Sequence, residues 1–505
     1  MPAQTRIIHY YVCLGAAGGK EWKVNMKAGI LCPISALPSS YGVGDFGKNA
    51  YTFVNQLKKS DIKIWQILPL NPLAYGNSPY QPYSSYAGDE LYIDLEDLVK
   101  DGLLEKRELK TFNKQAETVE YEAVRAHKEN LLRLAYKRFE FNDDFKQFVE
   151  NNKWVEGYAL FRTFKLTNEG KPWTEWHEEY KEFPKHQSFE LLPFEKEINY
   201  QEFLQYYFFK QWYALKKYAN DQGIMIIGDM PIYVGLDSAD CWLDQEDFFL
   251  EEDGTPSFVA GVPPDYFSEF GQRWGNPIYD WDHLEKTNFK FWIDRIHSAN
   301  KLYDEVRIDH FRGFDTYWKI PASEPTAVVG EWVEAPGYAL FDKLFEEYPD
   351  THILAEDLGL LRDEVYELRD HYNFKGMYIF QFHYKDEFDF DKVVVYSGTH
   401  DNDTLMGWYS NLDEDTVKEV DLLLEGYKER KKHRQMIHYC MDLPAESVII
   451  PVWDLLGEPE TSRFNTPGTI GSPNWEWKMS RFTELNKEMK FMKKIIHDTN
   501  RDETL

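Results

Sequence analysis

The stretch "YDEVRIDHFRG", residues 303–313, decides how the chain folds. Val306 and Ile308 alternate with Arg307 and Asp309, which is the period of a β-strand, so Arg307 and Asp309 project from one face. A full ion pair on a strand bound for an apolar core has two readings. Either it is a structural pair that closes off a sheet, or the carboxylate is held there to react. The motif alone leaves both open.

Runs of the same kind recur along the chain. They are "GILCPI" from Gly29, "IKIWQILPL" from Ile62, "IMIIGDM" from Ile224, "HILAEDLG" from His352, "GMYIFQF" from Gly376, "VVVYSGTHDN" from Val393 and "SVIIPVWD" from Ser447. Such nearly continuous Ile/Val/Leu segments suit strands buried on both faces, hence a parallel sheet covered by helices. Helical patterns lie between several of them, including "FGKNAYTFVNQLKKSD", "YQEFLQYYFFKQWYALKKYANDQG", "LRDEVYELRDHY" and "TVKEVDLLLEGYKERKKHRQMIHYCM". Eight strands joined mostly through helices predict an α/β fold, a closed (β/α)8 TIM barrel. An open doubly wound sheet also takes eight strands, but no G-x-G-x-x-G turn follows the first run.

The spacing is uneven. The long interval between the second and third strands holds helical patterns, and "DGTPSFVAGVPPDYFSEFGQRWGNPIYDW" after the third strand reads as loop. Residues 26–505 are therefore expected to be a single catalytic barrel, with large, mainly helical insertions at its C-terminal face at approximately 71–200 and 235–300. No separate C-terminal β-domain is expected. Residues 1–25 are expected to be a disordered or non-native extension, because "YYVCLGAAGG" has only Arg6 as a basic flank and makes a poor signal peptide.

With 86 acidic against 57 basic residues the chain carries a formal charge of −29, which repels nucleic acid and anionic membranes. Cys13, Cys32, Cys241 and Cys440 are far apart and form no C-x-x-C pair, so neither a metal signature nor a disulfide framework is expected. A reducing, cytoplasmic location fits. No apolar run reaches the roughly 18 residues needed to span a bilayer.

In a barrel the chemistry sits where strands end at the C-terminal face. Reading those ends in order gives Asp229, Asp309, Glu356 and Asp401. Four carboxylates at one rim repel one another, so a metal, a catalytic need or separate local ion pairs must maintain them. A guanidinium beside Asp309 is expected to lower its pKa and keep it charged. Glu356 follows the apolar "ILA" and lies near other acids, which is expected to raise its pKa and keep a proton available. In "GTHDNDT", Asp403 or Thr404 is read as a helix cap. That leaves His400 and Asp401 at the rim, suited to grasping sugar hydroxyls while positive charge develops. The Gly/Pro-rich rim loops "GNSPYQPYSSYAG" and "GQRWGNP" offer Tyr80 and Trp274 as rings that could stack on sugars.

The chain resembles the amylomaltases, the 4-α-glucanotransferases called disproportionating enzymes in plants. The motifs that carry the resemblance are "LPSSYGVGDFG", "WQILPLNP", "YGNSPYQPYSS", "IIGDMPIYV", "GVPPDYFSEFGQRWGNP", "VRIDHFRGF", "LAEDLG" and "GTHDNDT", in order and spanning almost all of residues 27–480. The resemblance implies a retaining double displacement with Asp309 as nucleophile, Glu356 as general acid/base and Asp401 as transition-state stabiliser. In such a scheme the two carboxyls stand about 5 to 5.5 Å apart. It implies that Arg307, His400, Asp229, Tyr80, Ser78, Trp274, Gln272 and Asn465 bind substrate. The substrates would be α-1,4-glucans and maltooligosaccharides, with glucose as acceptor and no cofactor or metal. Because a transferase must exclude water while admitting a sugar, residues 254–277 are expected to act as a lid. Three rivals share parts of the pattern: an α-amylase-type hydrolase, a metal-dependent barrel hydrolase using His310 and His400, and a non-catalytic glucan-binding protein. Against the metal reading, the first strand carries no H-x-H and the histidines lack the spacing of a helical ligand pair.

Overall fold

The computed structural model describes residues 26–264 and 268–502, so the expectation for residues 1–25 lies outside the described residues. Twelve strands occur among the described residues: β1 (Lys27–Leu31), β2 (Ile64–Gln66), β3 (Met225–Pro231), β4 (Phe258–Val262), β5 (Gln272–Pro277), β6 (Glu305–Asp309), β7 (Thr316–Pro321), β8 (Glu331–Glu334), β9 (Ile353–Ala355), β10 (Gly376–Ile379), β11 (Val393–Tyr396) and β12 (Ser447–Pro451). Eight of them form one sheet in the order β10–β11–β12–β1–β2–β3–β6–β9, and every pairing in it is parallel. These are the eight runs read from the sequence. A single parallel bridge, Leu354 against Lys375, joins the two ends, with Ala355 N–H donating to Lys375 C=O at 2.8 Å. The result is the (β/α)8 barrel.

Helices cover the outside. Lys48–Lys59 links β1 to β2, Glu195–Asp221 precedes β3, Lys290–Leu302 precedes β6, and Gly337–Glu347 precedes β9. Asp363–His371 precedes β10, Lys432–Asp442 precedes β12, and Thr483–Asp498 closes the ring. The crossover from β10 to β11 is the thin one, with only a short helix, Phe380–His383. Burial drives the wrapping: Val306 and Ile308 of β6 are fully buried. Gly228 of β3 allows the closest approach, since a Cβ there would lie 2.0 Å from the Tyr303 ring.

The barrel interior is not wholly apolar. Gln66 and Tyr396 are buried and joined, the tyrosine hydroxyl donating to Gln66 Oε1 at 2.8 Å, and Asp229 and Arg307 lie in the same polar layer. This explains the ion pair inside "VRID": Arg307 meets a partner from β3, so the charge is buried with compensation.

Between β2 and β3 the chain forms the helices Tyr121–Arg138, Asp143–Asn151 and Trp154–Thr167, as the helical patterns predict. The stretch read as loop after β3 differs. It contains β4 and β5, which join β7 and β8 in a four-stranded antiparallel sheet of order β5–β4–β7–β8. Its strands are short, rich in glycine and proline, and broken by an irregular register between Val259 and Gly261, so no alternation is visible. Two of its strands also arrive after β6, a non-local pairing that a local pattern does not reveal. The segment expected to be a lid includes residues 265–267, which lie outside the described residues. Among the described residues, no helix is long and apolar enough to cross a membrane.

Candidate active site

Strand register assembles the carboxylates. Asp229 pairs with Arg307 and Pro231 with Asp309 across β3 and β6, while Ile308 pairs with Ala355 across β6 and β9. Asp309 and Glu356 thus stand side by side, each one residue beyond that last pair. Their backbones are about 5 Å apart, the ordinary spacing of neighbouring strands.

Arg307 Nη1 donates to Asp229 Oδ1 at 2.9 Å and Oδ2 at 2.8 Å, and Tyr80 donates its hydroxyl to Asp229 Oδ2 at 2.7 Å. Arg307 Nη2 reaches Asp309 Oδ1 at 2.9 Å. The Asp309 side chain is 29% exposed, whereas those of Asp229 and Arg307 are 0% and 3% exposed, so only Asp309 of the three is open to a ligand. Arg307 does pull the pKa of Asp309 down, as expected, but the net shift is upward. Burial raises it most, Arg307 pulls it back, and Asp229 and Asp401 raise it again, leaving it at about 6. The physical reason is that burial, with the charges of Asp229 and Asp401 beside it, outweighs Arg307. Replacing it by methionine strands Asp229 in the interior. Arg307→Met is expected to destabilise the fold by about 3–5 kcal/mol, the cost of breaking a buried pair from one side. Scanning calorimetry checks this, and an unchanged midpoint would show that Asp229 does not depend on Arg307.

Glu356 accepts two backbone hydrogen bonds, from His310 N–H at 2.7 Å and Leu358 N–H at 3.1 Å. Burial, then the charge of Asp309, pushes its pKa up to about 8 against the opposing influence of Arg307 and those two donors. The rise is as expected, but the neighbouring acid responsible is Asp309. Asp357 instead bonds Arg369 at 2.5 Å and Met377 N–H at 2.8 Å. His310 adopts φ +55°, a left-handed conformation uncommon outside glycine, and so turns the chain sharply after Asp309.

On β11's far end, Asp401 Oδ1 accepts from Asn465 Nδ2 at 2.6 Å, and Oδ2 lies 3.3 Å from His400 Nε2. Burial would raise Asp401, but His400 and Asn465 together hold it well below the usual carboxylate range. His400 is correspondingly raised: burial lowers it, and Asp401 more than reverses that. Of the two cap candidates, Thr404 and not Asp403 is the helix cap, accepting from Gly407 N–H at 3.0 Å.

The aromatic residues join these groups. Tyr80 stacks on His400 with ring centres 5.1 Å apart and planes 16° apart, which links the Asp229–Arg307–Asp309 set to His400 and Asp401. Trp274 on β5 meets the His310 ring edge-on at 4.9 Å. Gln272 Oε1 accepts from Trp274 Nε1 at 3.2 Å, and Ser78 Oγ accepts from Tyr80 N–H at 3.2 Å. Ser78 and Gln272 therefore support the rings, seven of the other nine residues expected at the site contact one another directly, and Glu356 and Trp274 join them through His310. Of the four rim carboxylates, Asp229 and Asp309 share Arg307, Glu356 takes two backbone donors, and Asp401 takes His400 and Asn465. Among the described residues, no group of three or more His, Cys, Asp or Glu side chains is arranged to hold a metal ion.

Sequence reasoning missed three contributors. His310 serves through its backbone N–H. Arg463 donates to the Asp401 carbonyl at 2.7 Å. Trp475 packs against both Tyr80 and His400, at 5.7 and 5.9 Å. The stretches "RFNTPGT" and "NWEWK" held the signal for the last two.

A parallel barrel with paired carboxyls on adjacent strand ends, a third on β11 and aromatic rings beside them defines a carbohydrate-active barrel enzyme. Residues 32–484 match the model of glycoside hydrolase family 77, described as 4-alpha-glucanotransferase, and the chain belongs to that family. A 4-alpha-glucanotransferase of Streptococcus pneumoniae is 42% identical over 474 residues, covering 90% of this chain and 93% of the relative. One from Aquifex aeolicus is 41% identical, covering 93% and 98%. The amylomaltase of Streptococcus agalactiae in complex with acarbose superposes with a TM-score of 0.89 at 36% identity, covering 94% of this chain and 99% of that one. The reaction of this chain is the transfer of α-1,4-glucan segments to the 4-hydroxyl of an acceptor sugar, by a retaining double displacement.

Proposed function

We propose that Asp309 is the nucleophile, Glu356 the general acid/base and Asp401 the transition-state stabiliser of this transfer. The observation that carries the assignment is the adjacency of Asp309 and Glu356 with unequal affinity for a proton. At neutral pH Asp309 is ionised and Glu356 holds a proton. Asp309 attacks the anomeric carbon while Glu356 protonates the departing glycosidic oxygen, so the glycosidic bond breaks as the ester to Asp309 forms. Glu356, now ionised, takes the proton from the acceptor's 4-hydroxyl. That oxygen attacks the same carbon, releases Asp309 and restores the original anomeric configuration. Asp401, held as an anion, faces the positive charge that develops on the sugar and the hydroxyls beside it. Arg307, His400, Asp229, Tyr80, Trp274 and Asn465 shape the cleft, and Ser78 and Gln272 brace its rings.

The substrates under this reading are α-1,4-glucans and maltooligosaccharides, with free glucose as an acceptor. The acarbose bound by the Streptococcus agalactiae amylomaltase supports a maltooligosaccharide-shaped cleft. A cytoplasmic location is supported by Cys32, Cys241 and Cys440, which are buried as free thiols. Incubation with maltotriose tests the acceptor. Glucose and longer maltooligosaccharides are expected, with no growth in total reducing ends, whereas shorter products with growing reducing ends would mean that water is the acceptor.

The proton assignment also fixes a pH dependence. The profile of kcat/KM is expected to be bell-shaped, as it reports groups of the free enzyme. It rises with pH as Asp309 ionises near pH 6 and falls as Glu356 loses its proton near pH 8. An alkaline limb that persists unchanged in Glu356→Gln would remove Glu356 from the acid role.

A further inference from the structure

The apolar run "SVIIPVWD" also leads to a carboxylate, one that the transfer mechanism leaves unused. Asp454 follows β12 in the short helix Val452–Leu456 and is 0% exposed, so it touches no substrate. Its two oxygens grip the two ends of one loop. Ser397, the residue after β11, donates its hydroxyl to Oδ2 at 2.7 Å. Leu405, the first residue of the helix Leu405–Ser410, donates its N–H to Oδ1 at 2.7 Å. Asp401 stands midway between those ends.

The loop between the grips is tied inward. Asn402 Oδ1 accepts from both the N–H and the hydroxyl of Thr399 at 2.9 Å, and the Thr399 hydroxyl oxygen accepts from Asp401 N–H at 3.2 Å. Gln381 Nε2 donates to the Asp403 carbonyl at 2.9 Å. These local bonds fix the shape of the turn, and Asp454 fixes the separation of its ends. For packing alone it is a costly residue, because a carboxyl taken fully out of water is expensive even with two neutral donors. Burial lifts its pKa to about 7, Ser397 and Leu405 pull it back, and Asp403 raises it further. What a carboxyl offers in return is two acceptors in a fixed fork, one for each end of the loop.

We propose that Asp454 is a positioning residue for the transfer, a two-point clamp on the loop that carries His400 and Asp401. It sets where the anion of Asp401 meets the charge developing on the sugar. The proposal rests on the role of Asp401 given above. The clamp works by shape rather than charge. A protonated Oδ2 donates to the Ser397 oxygen while Oδ1 still accepts from Leu405 N–H, and an asparagine makes the same two bonds through Nδ2 and Oδ1.

The test is a double-mutant cycle on kcat for maltotriose. Asp401→Asn alone is expected to lose about 10²–10³-fold, the scale of one electrostatic stabiliser. Asp454→Ala alone is expected to lose about 10–10²-fold in kcat with KM within about twofold, the scale of a misplacement near 1 Å. In the Asp401→Asn background the same change is expected to cost less than about threefold, because no placed anion is left to move. Asp454→Asn, which keeps both bonds, is expected to hold kcat within about threefold of wild type. Should Asp454→Ala fold poorly, Ser397→Ala releases one end only, with a loss of about three- to tenfold expected alone and none beyond that of Asp401→Asn. The full loss persisting in the Asp401→Asn background overturns the clamp. So does an Asp454→Asn loss as deep as that of Asp454→Ala, or an unchanged kcat in Asp454→Ala. Unimpaired kcat in Asp401→Asn would instead overturn the role of Asp401 itself, which separates the two failures.

Discussion

Asp309→Asn is expected to reduce disproportionation of maltotriose by at least about 10⁴-fold, the scale on which enzymes lose an essential nucleophile. The substitution keeps the shape of the side chain and an oxygen toward Arg307 Nη2, so the fold is expected to survive. What it removes is the anion. An amide cannot form the covalent glycosyl ester, so neither half of the double displacement proceeds. Arg307 retains Asp229 as its buried partner in this variant, and the thermal midpoint is expected to stay near that of wild type. Residual activity above that level, after repurification to exclude wild-type carryover, would remove Asp309 from the nucleophile's role.

Glu356→Gln is expected to lower kcat on maltotriose by about 10²–10⁴-fold, the usual worth of a positioned proton donor. The loss is expected to depend on the leaving group. A maltosyl fluoride needs little protonation to depart, so its first half-reaction should be nearly spared. The second half-reaction lacks a base, and the glycosyl-enzyme should accumulate. Intact-protein mass spectrometry reads this as a glycosyl adduct on Asp309. If the fluoride and the natural glycoside lose rate equally, Glu356 is not the proton donor.

Much of the site was legible because its chemistry interrupts strand patterns. "VRID", "ILAED" and "VVVYSGTHD" are apolar runs that lead to a carboxylate; β6 ends at Asp309, β9 one residue before Glu356, and β11 five residues before Asp401. The eight barrel strands were readable for the same reason, since strands buried on both faces read as continuous apolar runs. The antiparallel sheet was hidden. β4 and β5 are short and interrupted by glycine and proline, and the sheet they join is completed only by β4 pairing with β7, beyond the whole of β6. The pKa of Asp309 was misjudged because burial raises it most, and because Asp229, which lies 78 residues before Arg307 and meets it only through strand register, adds a further negative charge. The left-handed turn at His310 has no glycine or asparagine to announce it. Nor does a sequence show which backbone N–H will support Glu356.

The closeness of Asp309 and Glu356 has a temporal side. The charge on Asp309 is the second-largest influence that keeps the Glu356 proton in place, after burial itself. In the proposed mechanism the esterification of Asp309 removes that charge, and the grip of Glu356 on a proton loosens. The two backbone donors, from His310 and Leu358, do not titrate and remain to steady the anion. Glu356 is thus a strong holder of its proton until the glycosidic bond breaks and a weak one while the ester persists. Under the proposed roles the covalent step resets its partner, and the acid of the first half of the cycle becomes the base of the second without moving.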